Sequence, residues 1–366
     1  MNKNYKLKKE LLSPPGDTIQ ETIDKIGMNQ YELAERLGKN IKNVNQIIKG
    51  KEPITTATAI ALEKVLGIPA DFWIERDRQY QKELAEIEFD EYLEVCKDWT
   101  KHFPVSNMIK LGWIPDPKNP IELSKSMLNY FGIASPEQWN TLYISKAAKV
   151  AFKISLAHTN EPEAISVWLR KGEIDAKKLQ VKEFNKNLFK KSLDKIKGLS
   201  SNHPPNFKEQ LQKLCSEAGV AVIYTPNIPK ATISGATRWI FNTTVPLIQI
   251  SGRYRTNDHF WFTFFHEAGH ILLHGKKEVF LEDVTGHNID QEKESEADKF
   301  SGKFLIPDQL YRQLLQLKPF SQASILDFAK KQKIHPAIIV GRLQHDNIIQ
   351  HSRFNEVKIY LNLFNE

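Results

Sequence analysis

Between Asp17 and Ile87 apolar residues recur at helical spacing in short runs: Ile19, Ile23 and Ile26; Leu33 and Leu37; Val44, Ile47 and Ile48; Leu62, Val65 and Leu66. Gly27, Gly38, Gly50 and Gly67 fall where these runs stop, as left-handed helix-ending residues do. Asp17 with Gln20, and Asn29 with Glu32, have the three-residue offset of a capping box and mark helix starts. The pattern predicts five short helices closing on one apolar core. From about Glu88 to Ala218 it stays mainly helical, as over Ile121 to Tyr130 and Phe184 to Ile196, with breaks at Pro104, Pro115 to Pro117, Pro120, Pro136 and Pro162. No chemical constellation stands out there, and the stretch suits a structural connector or a docking surface.

After Gly219 the texture changes. Val220 to Tyr224, Thr232 to Phe241 and Pro246 to Ser251 are short β-branched or alternating segments bounded by Asn, Pro and Gly. Helical periodicity returns at about His259 and persists to about Asp346, so a small sheet followed by helices is expected, an α+β domain. A multidomain chain follows: an all-α domain over residues 15–87, a helical connector region over 88–218 and the α+β domain over 219–350.

Composition changes this picture little. The chain has 366 residues, 41% hydrophobic and 26% charged, which suits a folded protein of two or three domains. A net charge of +7 mildly favours a polyanionic partner. Cys96 and Cys215 are too far apart in sequence to suggest a thiolate metal site or a disulfide framework. The lysine-rich start, Met1 to Glu10, is followed by no apolar core, and no run of about 18 apolar residues occurs. A soluble cytoplasmic protein without a membrane partner is expected.

The strongest chemical signal is His266-Glu267-Ala268-Gly269-His270. Residues four apart on a helix lie about 400° around the axis, so His266 and His270 share a face and can share one ion. Zinc suits two neutral imidazoles, a third protein ligand and a water. Glu267, about 100° further round, can reach that water without taking a coordination position, which is the place of a general base. Phe260, Trp261, Phe262, Phe264 and Phe265 before the motif and Ile271, Leu272 and Leu273 after it demand a buried helix, where two histidines and a glutamate need a partner. In Glu294-Ser295-Glu296-Ala297-Asp298, Glu294 is the expected third ligand. Asp298, one turn on, is placed to accept the free ring N–H of a ligand histidine. Glu296 is turned by roughly 200° and is expected to face solvent. His274 and His287 stay outside this ligand set. Arg238, Arg253, Tyr254 and His259 are candidates to stabilise an oxyanion, each better explained as structural.

Asn29 to Leu37 and Asn40 to Lys49 read as the two helices of a helix-turn-helix, the second lying in the major groove of double-stranded operator DNA. Asn40, Lys42, Asn43, Asn45 and Gln46 fill its outward positions, Asn and Gln suiting adenine edges and Lys guanine. Gln30, Lys39, Lys49 and Lys51 suit phosphates. One such unit covers little DNA, so a homodimer on paired half-sites is expected.

Residues from about 15 to 90, through Pro15-Gly16, Gln30-Tyr31-Glu32-Leu33-Ala34, Gly50 to Thr55 and Phe72-Trp73, resemble the HigA/VapI-type branch of lambda-repressor-like (XRE) domains. Residues from about 219 to 345, through Gly235 to Trp239, Phe262 to His270, Glu294 to Asp298 and Phe304-Leu305-Ile306-Pro307, resemble the zincin-like ImmA/IrrE metallopeptidases. That second resemblance implies zinc on His266, His270 and Glu294, catalysis by Glu267, and cleavage of a repressor or antitoxin-type protein. The alternative is a transcription regulator or antitoxin-like DNA binder whose peptidase-like domain senses a ligand without proteolysis.

Overall fold

The computed structural model describes residues 3–144, 161–240, 244–275, 279–282 and 291–364. The sequence reading at Phe241 and His287, and in the middle stretch over 145–160, falls outside them. The chain forms two compact units, residues 1–99 with 117–125, and residues 100–116 with 126–366.

In the first unit α1 (Lys3–Glu10) precedes α2 (Pro15–Lys25), α3 (Gln30–Leu37), α4 (Ile41–Ile48), α5 (Thr56–Leu66) and α6 (Ala70–Cys96). Ile19, Ile23, Leu33, Val44, Ile47, Leu62 and Trp73 close one core. Asn29 caps α3 by accepting from the Glu32 N–H, at 2.9 Å. All four helix-stopping glycines have positive φ, between 62° and 71° at Gly27, Gly38 and Gly50 and 73° at Gly67. Two expectations are corrected. Asp17 does not open α2: the helix starts at Pro15, whose missing N–H costs nothing in a first turn, so Asp17 lies inside that turn. The fifth of the predicted helices, α6, is not short but 27 residues long, because nothing in its sequence offers a glycine or proline stop before Cys96.

The prolines expected as breaks in the middle of the chain mostly begin helices. Pro120, Pro136 and Pro162 are first residues of α8 (Pro120–Phe131), α9 (Pro136–Trp139) and α10 (Pro162–Ala176), and Pro104 directly precedes α7 (Val105–Lys110). A ring that fixes φ near −65° suits a helix start as well as it spoils a helix interior.

In the second unit, α11 (Lys186–Asn202) and α12 (Phe207–Glu217) lead into β1 (Ala221–Tyr224), β2 (Gly235–Ile240) and β3 (Val245–Ile250). Next come α13 (Asn257–Leu273), β4 (Phe280–Leu281), α14 (Gln291–Leu305), α15 (Asp308–Leu315), α16 (Gln322–Gln332) and α17 (Pro336–His345). The mixed sheet has the order β1-β3-β2-β4: β1 runs parallel to β3, while β2 is antiparallel to both β3 and β4. The two-residue β4 is a departure from the continuous helical reading after His259.

Both faces of this sheet are covered. Val222, Trp239, Ile248 and Ile250 pack with α13 and with Phe189, Leu193, Ile196, Leu211 and Cys215 of α11 and α12. The alternate residues Ala221, Ile223, Ile240 and Leu247 pack with Ala176 at the end of α10. Strands covered on both faces read as apolar runs, which is the texture of Val220 to Tyr224. Two polar residues interrupt the α10 face. Gln249 Nε2 donates to Trp168 O (2.7 Å) and Thr225 Oγ1 (2.9 Å), and its Oε1 accepts from Arg238 Nη2 (3.0 Å). Among the described residues no helix is long and apolar enough to cross a membrane.

Candidate metal centre

The centre is built where α14 crosses α13. Gly269 makes that crossing close: a Cβ on it would meet Phe300 Cδ1 at 3.1 Å and Ala297 Cα at 3.4 Å. Ser301 Oγ donates to Phe262 O at 3.0 Å and ties the two helices together. With the helices in contact, one turn of α14 lies beside one turn of α13.

The structure brings His266, His270 and Glu294 together, one donor atom from each lying within 4.8 Å of the others. His266 Nε2 is 2.9 Å from His270 Nε2 and 3.0 Å from Glu294 Oε2, and His270 Nε2 is 3.5 Å from the same oxygen. A tetrahedral ion with ligands 2.0–2.1 Å away sets donor separations of about 3.3 Å, so the three fit around one zinc-sized cation. Charge agrees with geometry. Burial opposes protonation of His266, but hydrogen bonds to Asp298 and Glu294 outweigh it and push the imidazole pKa well up. Burial likewise opposes ionisation of Glu294, and the two histidines overcome it and bring its carboxyl down to about 2. Burial holds His270 below its ordinary range. The cluster thus favours a positive charge between an imidazole and a carboxylate, which a cation supplies without protons.

Asp298 Oδ1 sits 2.9 Å from His266 Nδ1, so of the two histidines it serves His266. Glu267 is fully buried, and neither carboxylate oxygen has a hydrogen-bond partner. Burial first, and then the nearby carboxylate of Glu282, push its pKa well up, against the opposing pulls of His266 and the Thr237 hydroxyl. An unpartnered buried carboxylate of this kind is rare in native proteins and calls for an explanation beyond packing. Thr237 Oγ1 donates to the Glu267 backbone carbonyl at 3.1 Å. Gly235 of β2 gives the Glu267 side chain its room, since a Cβ there would lie 2.5 Å from Oε1.

A cleft of about 490 Å³ opens on the centre, lined by Tyr254, His259, Thr263, His266, Glu294 and Arg342 among others. Two of the sequence candidates for an oxyanion role, Tyr254 and His259, line it, and their rings stack with centroids 4.5 Å apart. Arg238 does not: it is fully buried and donates to Leu169 O and Gln249 Oε1. Arg253 donates to Thr232 O at 2.9 Å. Sequence reasoning passed over His274 and Glu296, which meet at 3.0 Å, with His274 Nδ1 3.0 Å from His270 Nδ1. Glu296 was expected to face solvent, and its side chain is 52% exposed but engaged with His274. The repeat of His266, His270 and His274 at steps of four was the available signal.

In the first unit the outward residues of α4 remain outward: Lys42, Asn43 and Lys49 are exposed, Asn45 and Gln46 half-buried. Asn40 is exposed but has another engagement, since its Oδ1 caps α4 by accepting from the Lys42 N–H at 2.9 Å. Gln30, half-buried, donates to Gln20 Oε1 at 2.5 Å across α3 and α2.

Comparison with known proteins finds a family match in each of two segments. Residues 215–327 match the IrrE N-terminal-like domain of the peptidase M78 family, and residues 19–73 match the helix-turn-helix family. Over 74 residues the chain is 30% identical to an uncharacterised HTH-type transcriptional regulator, YddM, of Escherichia coli (strain K12), an alignment spanning 20% of this chain and 77% of that protein. The chain therefore belongs to the helix-turn-helix regulators through its N-terminal DNA-binding domain, and it carries in the same polypeptide a metallopeptidase-like, IrrE-type domain.

Proposed function

We propose that this protein is a DNA-binding regulatory zinc endopeptidase that hydrolyses a peptide bond in a repressor- or antitoxin-type protein, in cis or in trans, and so controls transcription. The observation that carries this reading is the juxtaposition of three converging donors, His266, His270 and Glu294, with a buried carboxylate, Glu267, that makes no hydrogen bond. A structural metal site needs no such base; a hydrolytic one does. Zinc held there would polarise the scissile carbonyl and bring the pKa of a coordinated water toward ~7.

The rest of the chemistry belongs to the chain. Glu267, whose carboxyl is pushed up by burial, takes the proton of the attacking water and passes it to the leaving amine nitrogen. Asp298 accepts from His266 Nδ1–H and keeps the Nε2 lone pair aimed at the cation. The cleft lined by Tyr254, His259 and Arg342 receives the peptide. On the DNA side, Lys42, Asn43, Asn45, Gln46 and the amide nitrogen of Asn40 read the major groove, with Gln30 and Lys49 on phosphates and a homodimer spanning paired half-sites.

Glu267→Gln tests the peptidase reading, because the amide keeps the size of the side chain and leaves the ligands intact. Mass spectrometry of the zinc-loaded protein, alone and mixed with the product of the neighbouring gene, is expected to show cleavage for the wild type and a loss of about 10²–10⁴-fold in rate for the variant. Equal rates would remove Glu267 from the mechanism. No cleavage by either, with DNA binding intact, would favour a regulator that senses through this domain without proteolysis.

A further inference from the structure

The two histidines of the centre are supported unequally. His266 has a carboxylate directly behind it, Asp298, 2.9 Å from Nδ1. Behind His270 stands a second imidazole: His270 Nδ1 lies 3.0 Å from His274 Nδ1, and His274 Nε2 lies 3.0 Å from Glu296 Oε2. The His274 side chain is 4% exposed, at the place where α13 ends and the backbone turns extended. Phe280 of β4 stacks on His270, with centroids 3.8 Å and planes 13° apart, and covers His274 at 5.2 Å. The pair is thus shielded by an aromatic ring on one side and closed by a carboxylate at its far end.

We propose that His274 and Glu296 are positioning residues for the metal centre, a relay that holds His270 in the one tautomer able to bind a cation. This rests on the metal-centre part of the function proposed above and not on proteolysis. The tautomers follow from proton counting. A neutral imidazole carries one N–H, so a His270 that offers its Nε2 lone pair must keep its proton on Nδ1. That N–H points at His274 Nδ1, which must then be the acceptor, and the single proton of His274 is left on Nε2. There it donates to the Glu296 carboxylate, a charge-assisted bond that favours this arrangement over its reverse. In the reverse arrangement His270 would direct an N–H at His266 Nε2, 2.9 Å away, where the cation belongs.

The relay also accounts for a histidine where a carboxylate alone would be simpler. Glu296 and Asp298 are two residues apart on α14 and so point roughly 200° apart around its axis. Asp298 reaches His266 directly; Glu296, turned away from the centre, reaches His270 through a residue placed one turn beyond it. Both ligand imidazoles therefore end on carboxylates of the same helix, one directly and one through an intermediary.

The test is zinc affinity of the full-length protein, measured by competition with a chromophoric chelator at fixed pH, for His274→Phe, Glu296→Ala and Glu296→Gln. Loss of an outer partner of a metal-bound histidine typically costs about 10–100-fold in affinity. His274→Phe is expected to weaken zinc binding by about that factor, and Glu296→Ala by less. Glu296→Gln should recover most of the loss, since its amide oxygen still accepts from His274. The double variant His274→Phe with Glu296→Ala should be no weaker than His274→Phe alone, as for residues acting in one chain. In ¹⁵N-edited spectra of the zinc-loaded protein, His270 should carry its proton on Nδ1 and His274 on Nε2. Zinc affinity within twofold of wild type for both Glu296→Ala and a folded His274→Phe overturns the proposal, as does a His274 proton found on Nδ1. If His274→Phe does not fold, the half-exposed Glu296 pair of variants decides alone. A wild-type chain that binds no zinc sinks the metal centre and the relay together. Absent proteolysis with this affinity pattern intact counts only against the peptidase reading.

Discussion

Replacing Gly172 by alanine tests how tightly α10 is fastened to the sheet, and the sign of the effect is informative. In an exposed helix interior alanine is favoured over glycine by about 1 kcal/mol. In α10 the added Cβ would lie 2.1 Å from Gln249 Oε1 and 2.2 Å from its Cδ. Gln249 cannot swing aside cheaply, because its amide is fully buried and held by Trp168 O, Thr225 Oγ1 and Arg238 Nη2. Moving it breaks at least two of those bonds, and a buried group left unsatisfied costs roughly 1–3 kcal/mol. The balance is a loss of roughly 1–5 kcal/mol after the helix gain is credited. Gly198 of α11 is the control: nothing lies within 4 Å of a Cβ built there, so Gly198→Ala should stabilise by about 1 kcal/mol at most. Urea unfolding of the full chain, followed by tryptophan fluorescence, measures both. A Gly172→Ala variant as stable as the control would refute the claim that α10 is keyed to β3 through Gln249.

Three further outcomes follow from other parts of the molecule. Gly235→Ala places a methyl 2.5 Å from Glu267 Oε1 and 2.8 Å from Thr263 Cγ2, so peptidase turnover should fall by about tenfold or more while zinc affinity stays near wild type; unchanged turnover in a peptide-cleavage assay would show that Glu267 needs no such room. His203 accepts from Trp261 Nε1 at 3.3 Å, and burial, then the neighbouring His335, bring its pKa down to about 4. The unfolded chain takes up this proton near pH 6.5 and the folded one only near 4, so its contribution is present above pH 6.5 and is lost as pH falls through that window. His203→Asn, which tolerates the same left-handed backbone and still offers an acceptor, should flatten the pH dependence of the denaturation midpoint between those limits, and an unaltered slope would contradict the assignment. Lys49→Ala should lower the slope of log K against log salt by about 0.9 in operator-binding titrations, since one phosphate contact is lost; a slope equal to that of the wild type would take Lys49 off the backbone.

The local half of this protein was readable as spacing. A helix repeats every 3.6 residues whatever it packs against, so the common face of His266 and His270, the offset of Glu267 and the outward row of α4 follow from the order of residues. Gly27, Gly38, Gly50 and Gly67 could be recognised as stops because a positive φ suits glycine wherever it occurs. Prolines were ambiguous by the same local logic: a fixed φ serves a helix start and a chain break alike, and only the observed elements distinguish them at Pro120, Pro136 and Pro162. The two-residue β4 was invisible, being too short to carry a period of two, and its strand character comes from pairing with Ala236 and Thr237.

Sequence alone determined the type of most segments and which chemical groups each can present. Tertiary packing decided which groups meet. Glu294 and Asp298 face the histidines, and Glu296 reaches His274, only because small residues at Gly269 and Ala297 let two helices cross in contact. The same holds for α10, α11 and α12, whose apolar stripes suit a free-standing connector as well as a shared core, and which the structure folds around the sheet beside the metal centre. Periodicity is a property of one segment's own backbone, whereas the partner of a buried side chain is chosen by shape and burial across residues far apart in the chain, where spacing carries no information.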